Sequence, residues 1–159
     1  MAVSRGLELI TAFLDEQGID YEVVEHRRTA TAAAEARAAG VPASEVAKTI
    51  ALRDEKGLCL AVIPASCRLD LEKARRALRA GESLRLATED EIRLEVDVFD
   101  VGALAPLADL VRATEVVDER LLAPERILIS GGDHSHGVLI DPHDLIEIVQ
   151  PKLADLCAD

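Results

Sequence analysis

The sequence predicts one mixed α/β domain, of the α+β kind, with helices packed on a largely antiparallel sheet. Three observations carry this. Apolar residues recur at helical spacing near the start, at Leu7, Ile10, Phe13 and Leu14. Two apolar runs in the middle flank the turn Asp54-Glu55-Lys56-Gly57, a hairpin signal. The last third is rich in short β-type runs. With 159 residues, 49% of them hydrophobic, the chain can bury one good core and is short for two, so residues 1–159 are expected to form a single domain. No internal repeat, low-complexity tail or linker divides it.

Taken in order, the opening amphipathic helix stops at Gly18. Tyr21 to Glu25 suits a short strand, and the alanine-rich TATAAAEARAAG a second helix that ends at Gly40. The hairpin pairs Ala47 to Arg53 with Leu58 to Pro64. Its second arm holds Cys59-Leu60-Ala61-Val62-Ile63, apolar on both faces, and so belongs at the centre of the sheet, covered on both sides. Asp70 is placed to cap a helix through Arg79, ending at Gly81, and Thr88 to Glu91 has capping-box spacing for another. Strands are expected at Glu115 to Val117, Arg126 to Ser130, Val138 to Asp141 and Ile146 to Val149.

Composition excludes several classes of function. A net charge of −12 argues against general affinity for nucleic acid, which depends on Lys and Arg displacing counterions. Local basic places remain at Arg27 and Arg28, and at Arg68, Lys73, Arg75, Arg76 and Arg79, where solvated surface charge is the plainer reading. Aromatics are 2% with no Trp, so a base-stacking platform is not expected. Three cysteines, Cys59, Cys67 and Cys157, without a C-x-x-C pair, indicate neither a disulfide framework nor a zinc knuckle. Acids interrupt the apolar pattern of the N-terminus, and no uncharged apolar stretch is long enough to span a bilayer. A soluble, cytoplasmic protein with no membrane partner is the expectation.

Three places are candidates for chemistry. Lys48 opens the first hairpin strand, and alternation puts it in line with Val46, Ile50 and Leu52. A lysine on that side either snorkels to the rim or meets an anion, because an unpaired buried ammonium is costly. Gly102 and Pro106 bound a constrained loop in which glycine lets main chain approach a ligand and offers N–H groups to an oxyanion, although turn punctuation accounts for it equally. Ser130-Gly131-Gly132-Asp133-His134-Ser135-His136 links two strands. Its histidines, with Asp133 or His143, suit a metal site, and a soft turn explains the same composition. His26, after the first strand, is a candidate pocket donor or a half-buried histidine. Ser66, Ser130 and Cys67 lie in no nucleophile motif, and neither a Walker loop nor G-x-G-x-x-G occurs.

The order of these stretches, EVAKTIAL, then the Gly102–Pro106 G-x-x-x-P loop, then ISGGDHSHGVLID, resembles the YbaK family. These are aminoacyl-tRNA deacylase domains related to the editing insertion of bacterial prolyl-tRNA synthetase. The resemblance runs from about Leu7 to Val149, and includes YEVVEH before the alanine-rich helix and LAVIPAS before LDLEKARRAL. It implies a barrel-like mixed sheet surrounded by helices. It also implies hydrolysis, in trans, of the ester on a mischarged tRNA, typically alanine or cysteine on a proline tRNA. The family lysine falls on Lys48, near the terminal nucleotide's phosphate, and the G-x-x-x-P loop on Gly102 and Pro106, where backbone amides of the loop would hold the aminoacyl group. The glycine turn falls on Gly131 and Gly132, with Ser130 beside them and His26 as a further substrate contact. Chemistry in the family relies on a positioned water and a ribose hydroxyl of the substrate, so neither cofactor nor metal is implied. The partners implied are the acceptor end of a mischarged tRNA and an aminoacyl-tRNA synthetase. Ala108, where members often carry glycine, and the His-rich DHSH are departures. With the −12 charge, they keep a second reading open, a non-catalytic binding or regulatory module on the same fold.

Overall fold

The computed structural model describes residues 3–159, so the first two residues of the expected span lie outside the described part. Helix α1 (Arg5–Glu16) starts at Ser4, whose Oγ accepts from the Leu7 N–H, and buries Leu7, Ile10 and Leu14. Strand β1 (Tyr21–Glu25) leads to α2 (Ala32–Ala39), capped by Thr31 and closed by Gly40 at φ +71°. The alanine-rich segment is therefore helical only from Ala32, and Thr29 to Thr31 approach it as loop.

The hairpin is β2 (Ala47–Asp54) and β3 (Gly57–Pro64), in register from Ala47 opposite Pro64 to Asp54 opposite Gly57. Asp54 Oδ1 accepts from the N–H groups of Lys56 and Gly57 and closes the turn. Asp70 caps α3 (Leu71–Leu78), which ends short of Gly81 because Arg79 itself turns left-handed at φ 54°. Strand β4 (Arg85–Leu86) precedes α4 (Glu89–Glu95), where Thr88 and Glu91 form the expected capping box. Strands β5 (Thr114–Asp118), β6 (Ile127–Ser130) and β7 (His136–Ile140) follow. The chain closes with α5 (Pro142–Val149) and β8 (Lys152–Ala154).

The expected strand at Ile146 to Val149 is instead the end of α5. Asp141 accepts from the His143 N–H, and Pro142 occupies the first turn, where its missing N–H costs nothing. That capped start carries the apolar run as a helix, with Leu145 buried and Ile146, Ile148 and Val149 packed on the core.

The strands form two sheets, β1-β7-β6, wholly antiparallel, and β4-β2-β3-β5-β8, antiparallel among its first three strands and parallel beyond β3. A bridge between Val46 and Leu128 joins them. The two sheets do not close into the expected barrel-like sheet. β3 is central, as expected. Leu60 and Val62 enter the main core with Ile10, Ile129 and Val138, whereas Cys59, Ala61 and Ile63 enter a second core with Ala74, Leu78 and Leu156.

Glu115 in β5 is 4% exposed, and one of its oxygens accepts from the Ala108 N–H at 3.1 Å, tying down the segment that follows Pro106. Its other oxygen has no hydrogen-bond partner among the described residues. Burial pushes the carboxyl up to about 8, with partial relief from Ala108 and a further push from Asp109. The folded chain thus binds more protons than the unfolded one between the model-peptide value of 4.5 and about 8, and stability falls as pH rises through that window. Glu115→Gln removes the titration and keeps the acceptor. Urea unfolding should show it more stable than wild type by on the order of 2 kcal/mol at pH 9, with the gain shrinking towards pH 5.

Candidate functional site

A cleft of about 270 Å³ opens between the approach to α2, the beginning of β2 and the Gly102 loop. Thr29 to Ala33 form one wall, Ala47 to Thr49 with Ala65 another, and Gly102 to Leu104 a third. Glu35, Ser130, Asp133 and His134 complete the lining. Most of the lining residues are small: alanines, a glycine, threonines and a serine leave little side chain between backbone and ligand.

Lys48 stands at the rim. Alternation does place it on the face of Ile50 and Leu52, opposite Ile63, yet the second core reaches those neighbours and not the lysine, which is exposed. Beside it the Thr49 hydroxyl is buried without a hydrogen-bond partner among the described residues. Such a group is available to a ligand at little further cost. The first N–H groups of α2 belong to Ala32 and Ala33 in the wall, and a helix start carries partial positive charge. The rim cation and this helix start are positive features of a cleft that Glu35 and Asp133 also line.

The Gly102 loop differs from expectation in detail. Gly102 is at φ +86°, a conformation glycine adopts freely. The Ala103 N–H turns back to Asp100 O at 2.9 Å, and the Ala103 carbonyl accepts from Ser130 Oγ at 2.8 Å. Gly102 and Leu104 keep N–H groups that bond to nothing else among the described residues. Pro106 lies behind, buried. Of the other predicted residues, Ser130 lines the cleft, while Gly131, Gly132 and His26 stand behind its wall.

The Gly-Gly turn is held from below. Gly131 donates to His136 O at 3.0 Å, and a Cβ there would sit 2.6 Å from that oxygen. Asp133 accepts from Ser4 Oγ at 2.6 Å, from the Ser135 N–H at 2.8 Å and from His136 Nδ1 at 2.9 Å. Burial alone would raise its carboxyl, but these bonds outweigh burial and hold it below the usual range. Asp133 and His134 thereby reach the cleft, with His134 Cε1 3.4 Å from where a Gly102 Cβ would be. His136 is engaged with Asp133, and His143, exposed on α5, pairs with Asp141. Among the described residues no three His, Cys, Asp or Glu side chains converge to hold a metal ion.

Sequence reading missed Glu35, Thr49 and the Thr29–Thr31 approach. Glu35, inside an alanine-rich helix, reads as a solvated charge, but it is 8% exposed and bonds His26 through Oε2 at 3.0 Å. Burial raises its carboxyl against the opposing pull of His26. One signal was available: the N-cap at Thr31 fixes which residues of the segment precede the helix.

A small α+β domain whose cleft gathers Lys48, the Gly102 loop and the start of a helix has the architecture of a ligand-positioning domain. Residues 26–148 match the model of the aminoacyl-tRNA editing domain, and the chain belongs to that family. It is similar over 99% of its length, at 28% identity and a TM-score of 0.87, to all of a protein described as a candidate trans-editing enzyme for prolyl-tRNA synthetase. A protein named APE2540 matches at 25% identity and a TM-score of 0.84, over 94% of this chain and 99% of its own. A structure from work on grafting linear epitopes onto scaffold proteins shares the fold, with 24% identity, a TM-score of 0.85, and coverage of 98% of this chain and 99% of its own. Membership of the YbaK-like editing family supports a role in tRNA editing. Among the described residues no helix is long and apolar enough to cross a membrane.

Gly131→Ala drives a Cβ into the His136 carbonyl, whereas at Gly102 the strain is conformational and the nearest atom is an ordinary contact away. Thermal melting should show Gly131→Ala costing about 2–3 kcal/mol and Gly102→Ala about 1 kcal/mol.

Proposed function

We propose that this protein is a free-standing aminoacyl-tRNA deacylase that hydrolyses, in trans, the ester of a small amino acid on the wrong tRNA, alanine or cysteine on a proline tRNA being the first candidates. The observation that carries the reading is the shared lining of one cleft by Lys48, the Gly102 loop and the start of α2 in a chain of the editing family. The likeness to a candidate trans-editing enzyme for prolyl-tRNA synthetase supports the choice of tRNA.

In this reading Lys48, exposed at the rim, takes the phosphate of the terminal nucleotide as a compact point charge. The N–H groups of Gly102 and Leu104 receive the carbonyl oxygen of the ester as it becomes an oxyanion. Water adds to that carbonyl carbon, the bond to the ribose oxygen breaks, and the departing oxygen takes a proton relayed through the neighbouring ribose hydroxyl. The amino acid leaves as its carboxylic acid. Placement and fixed dipoles carry the rate, and no side-chain acid/base pair is called on. His26 and Pro106 act from behind the wall, and Ser130, Gly131 and Gly132 hold the floor. A brief tRNA encounter, or delivery by a synthetase, accords with the net charge of −12.

That charge also favours the second reading, a binding module without turnover. Release of amino acid from a panel of mischarged tRNAs separates the two. Lys48→Ala should lower deacylation at least about 10-fold. Because Lys48 is exposed, it should shift stability by no more than about 0.5 kcal/mol. Unchanged turnover in that variant removes the proposed role, and a silent panel favours the binding module.

A further inference from the structure

The cleft contains a feature the deacylase reading does not use. Glu35 lies in its lining, yet only one carboxylate oxygen is committed: Oε2 meets His26 Nε2 at 3.0 Å, and Oε1 has no hydrogen bond among the described residues. The partner histidine is itself fixed. His26 Nδ1 is 2.7 Å from the Arg27 carbonyl, which only accepts, so Nδ1 carries a proton and donates. One further proton then lies between Nε2 and Oε2, either on the ring, making an ion pair, or on the carboxyl, making a neutral pair.

Such a dyad adapts to its ligand. Both partners are buried and held together by that shared proton, whichever atom carries it. A cation beside Oε1 favours the arrangement with the proton on Nε2 and a carboxylate facing the cation. Asp133, which lines the same cleft, adds negative potential at Glu35. The other titratable lining residues are Lys48, at the rim, and His134, against Gly102. The cleft therefore offers a compact cation a carboxylate oxygen of Glu35 that is bonded to nothing else among the described residues.

We infer that Glu35, held by His26, is the subsite for the α-ammonium of the aminoacyl group and makes the free amine a condition of recognition. This rests on the deacylase reading for its substrate. The chemistry is apt: an aminoacyl ester carries one cation a single carbon from its carbonyl, so a fixed carboxylate orients that carbonyl toward the Gly102 loop. N-blocked esters, and peptidyl esters with them, would leave the carboxylate unpaired and be refused.

The test compares the free and N-acetylated forms of alanyl and cysteinyl esters of a proline tRNA, with wild type and Glu35→Gln, whose thermal melting is recorded alongside. A parallel titration uses amide-linked alanyl-adenosine, with and without acetylation, and so reads binding without turnover. Wild type should prefer the free amine by on the order of 10- to 100-fold, and Glu35→Gln should erase most of that preference by losing the free-amine substrate alone. Equal losses on both esters make Glu35 a brace for the fold and overturn the inference. So does a wild type indifferent to acetylation in both experiments. If neither ester is released yet amide binding needs the free amine and Glu35, the deacylase reading fails and the ammonium subsite stands. If neither ester is released and the amide binds without regard to its amine, both fail.

Discussion

Strand β3 has no face toward solvent, and the rest of the molecule is arranged around that constraint. Its alternate residues require two separate cores, so the five-stranded sheet carries α1 and the three-stranded sheet on one side and α3 on the other. Burial of five consecutive residues of this kind stabilises the fold by roughly 1.5–3 kcal/mol for each large side chain, before entropy is subtracted. The antiparallel partner β2 inherits its register from this strand. Because the second core does not extend to the first residues of β2, Lys48 reaches the cleft from a strand whose later members, Ile50 and Leu52, pack inward. The rim cation is thus a consequence of where the packing stops.

Much of this was legible in the sequence, because the signals are local. The hairpin is written in Asp54 to Gly57, two of the helix starts in Asp70 and Thr88, and the doubly buried strand in five apolar residues without a polar one between. What failed was also physical. Ile146 to Val149 has the composition of a strand, and its helical state is set upstream by Asp141 and Pro142, which periodicity over four residues does not register. Strands of two and three residues, β4 and β8, exist only because a sheet edge is there to receive them. The sheet's failure to close depends on long-range pairing that no local pattern encodes. At the site, Lys48 and Gly102 were visible as a lysine in an apolar run and a glycine near a proline. Glu35 was not, since its burial is produced by His26 and Gly137, which are distant in sequence or on another strand.

Among the described residues the fold buries three carboxyl groups, Glu35, Glu115 and Asp118, and handles each differently. Asp118, fully buried, accepts from the Leu156 N–H, the Arg120 side chain and the Cys157 thiol, and so fastens the segment after β8 to the sheet. Glu115 has a single donor and is shifted towards its neutral form. Glu35 shares a proton with a histidine and keeps an oxygen free. Full pairing, neutralisation and sharing are the three ways of lowering the cost of a buried acid, and only the last leaves a group that responds to what binds.

Ser4 couples two regions that the chain keeps 129 residues apart. Its oxygen caps α1 by accepting from the Leu7 N–H while its proton goes to Asp133, so the first helical turn and the floor of the cleft share one chain of bonds. The family match begins at residue 26, leaving α1 outside it, yet that helix supports the turn which presents His134. Removing the Ser4 hydroxyl would therefore take a cap from α1 and a donor from Asp133 in the same stroke.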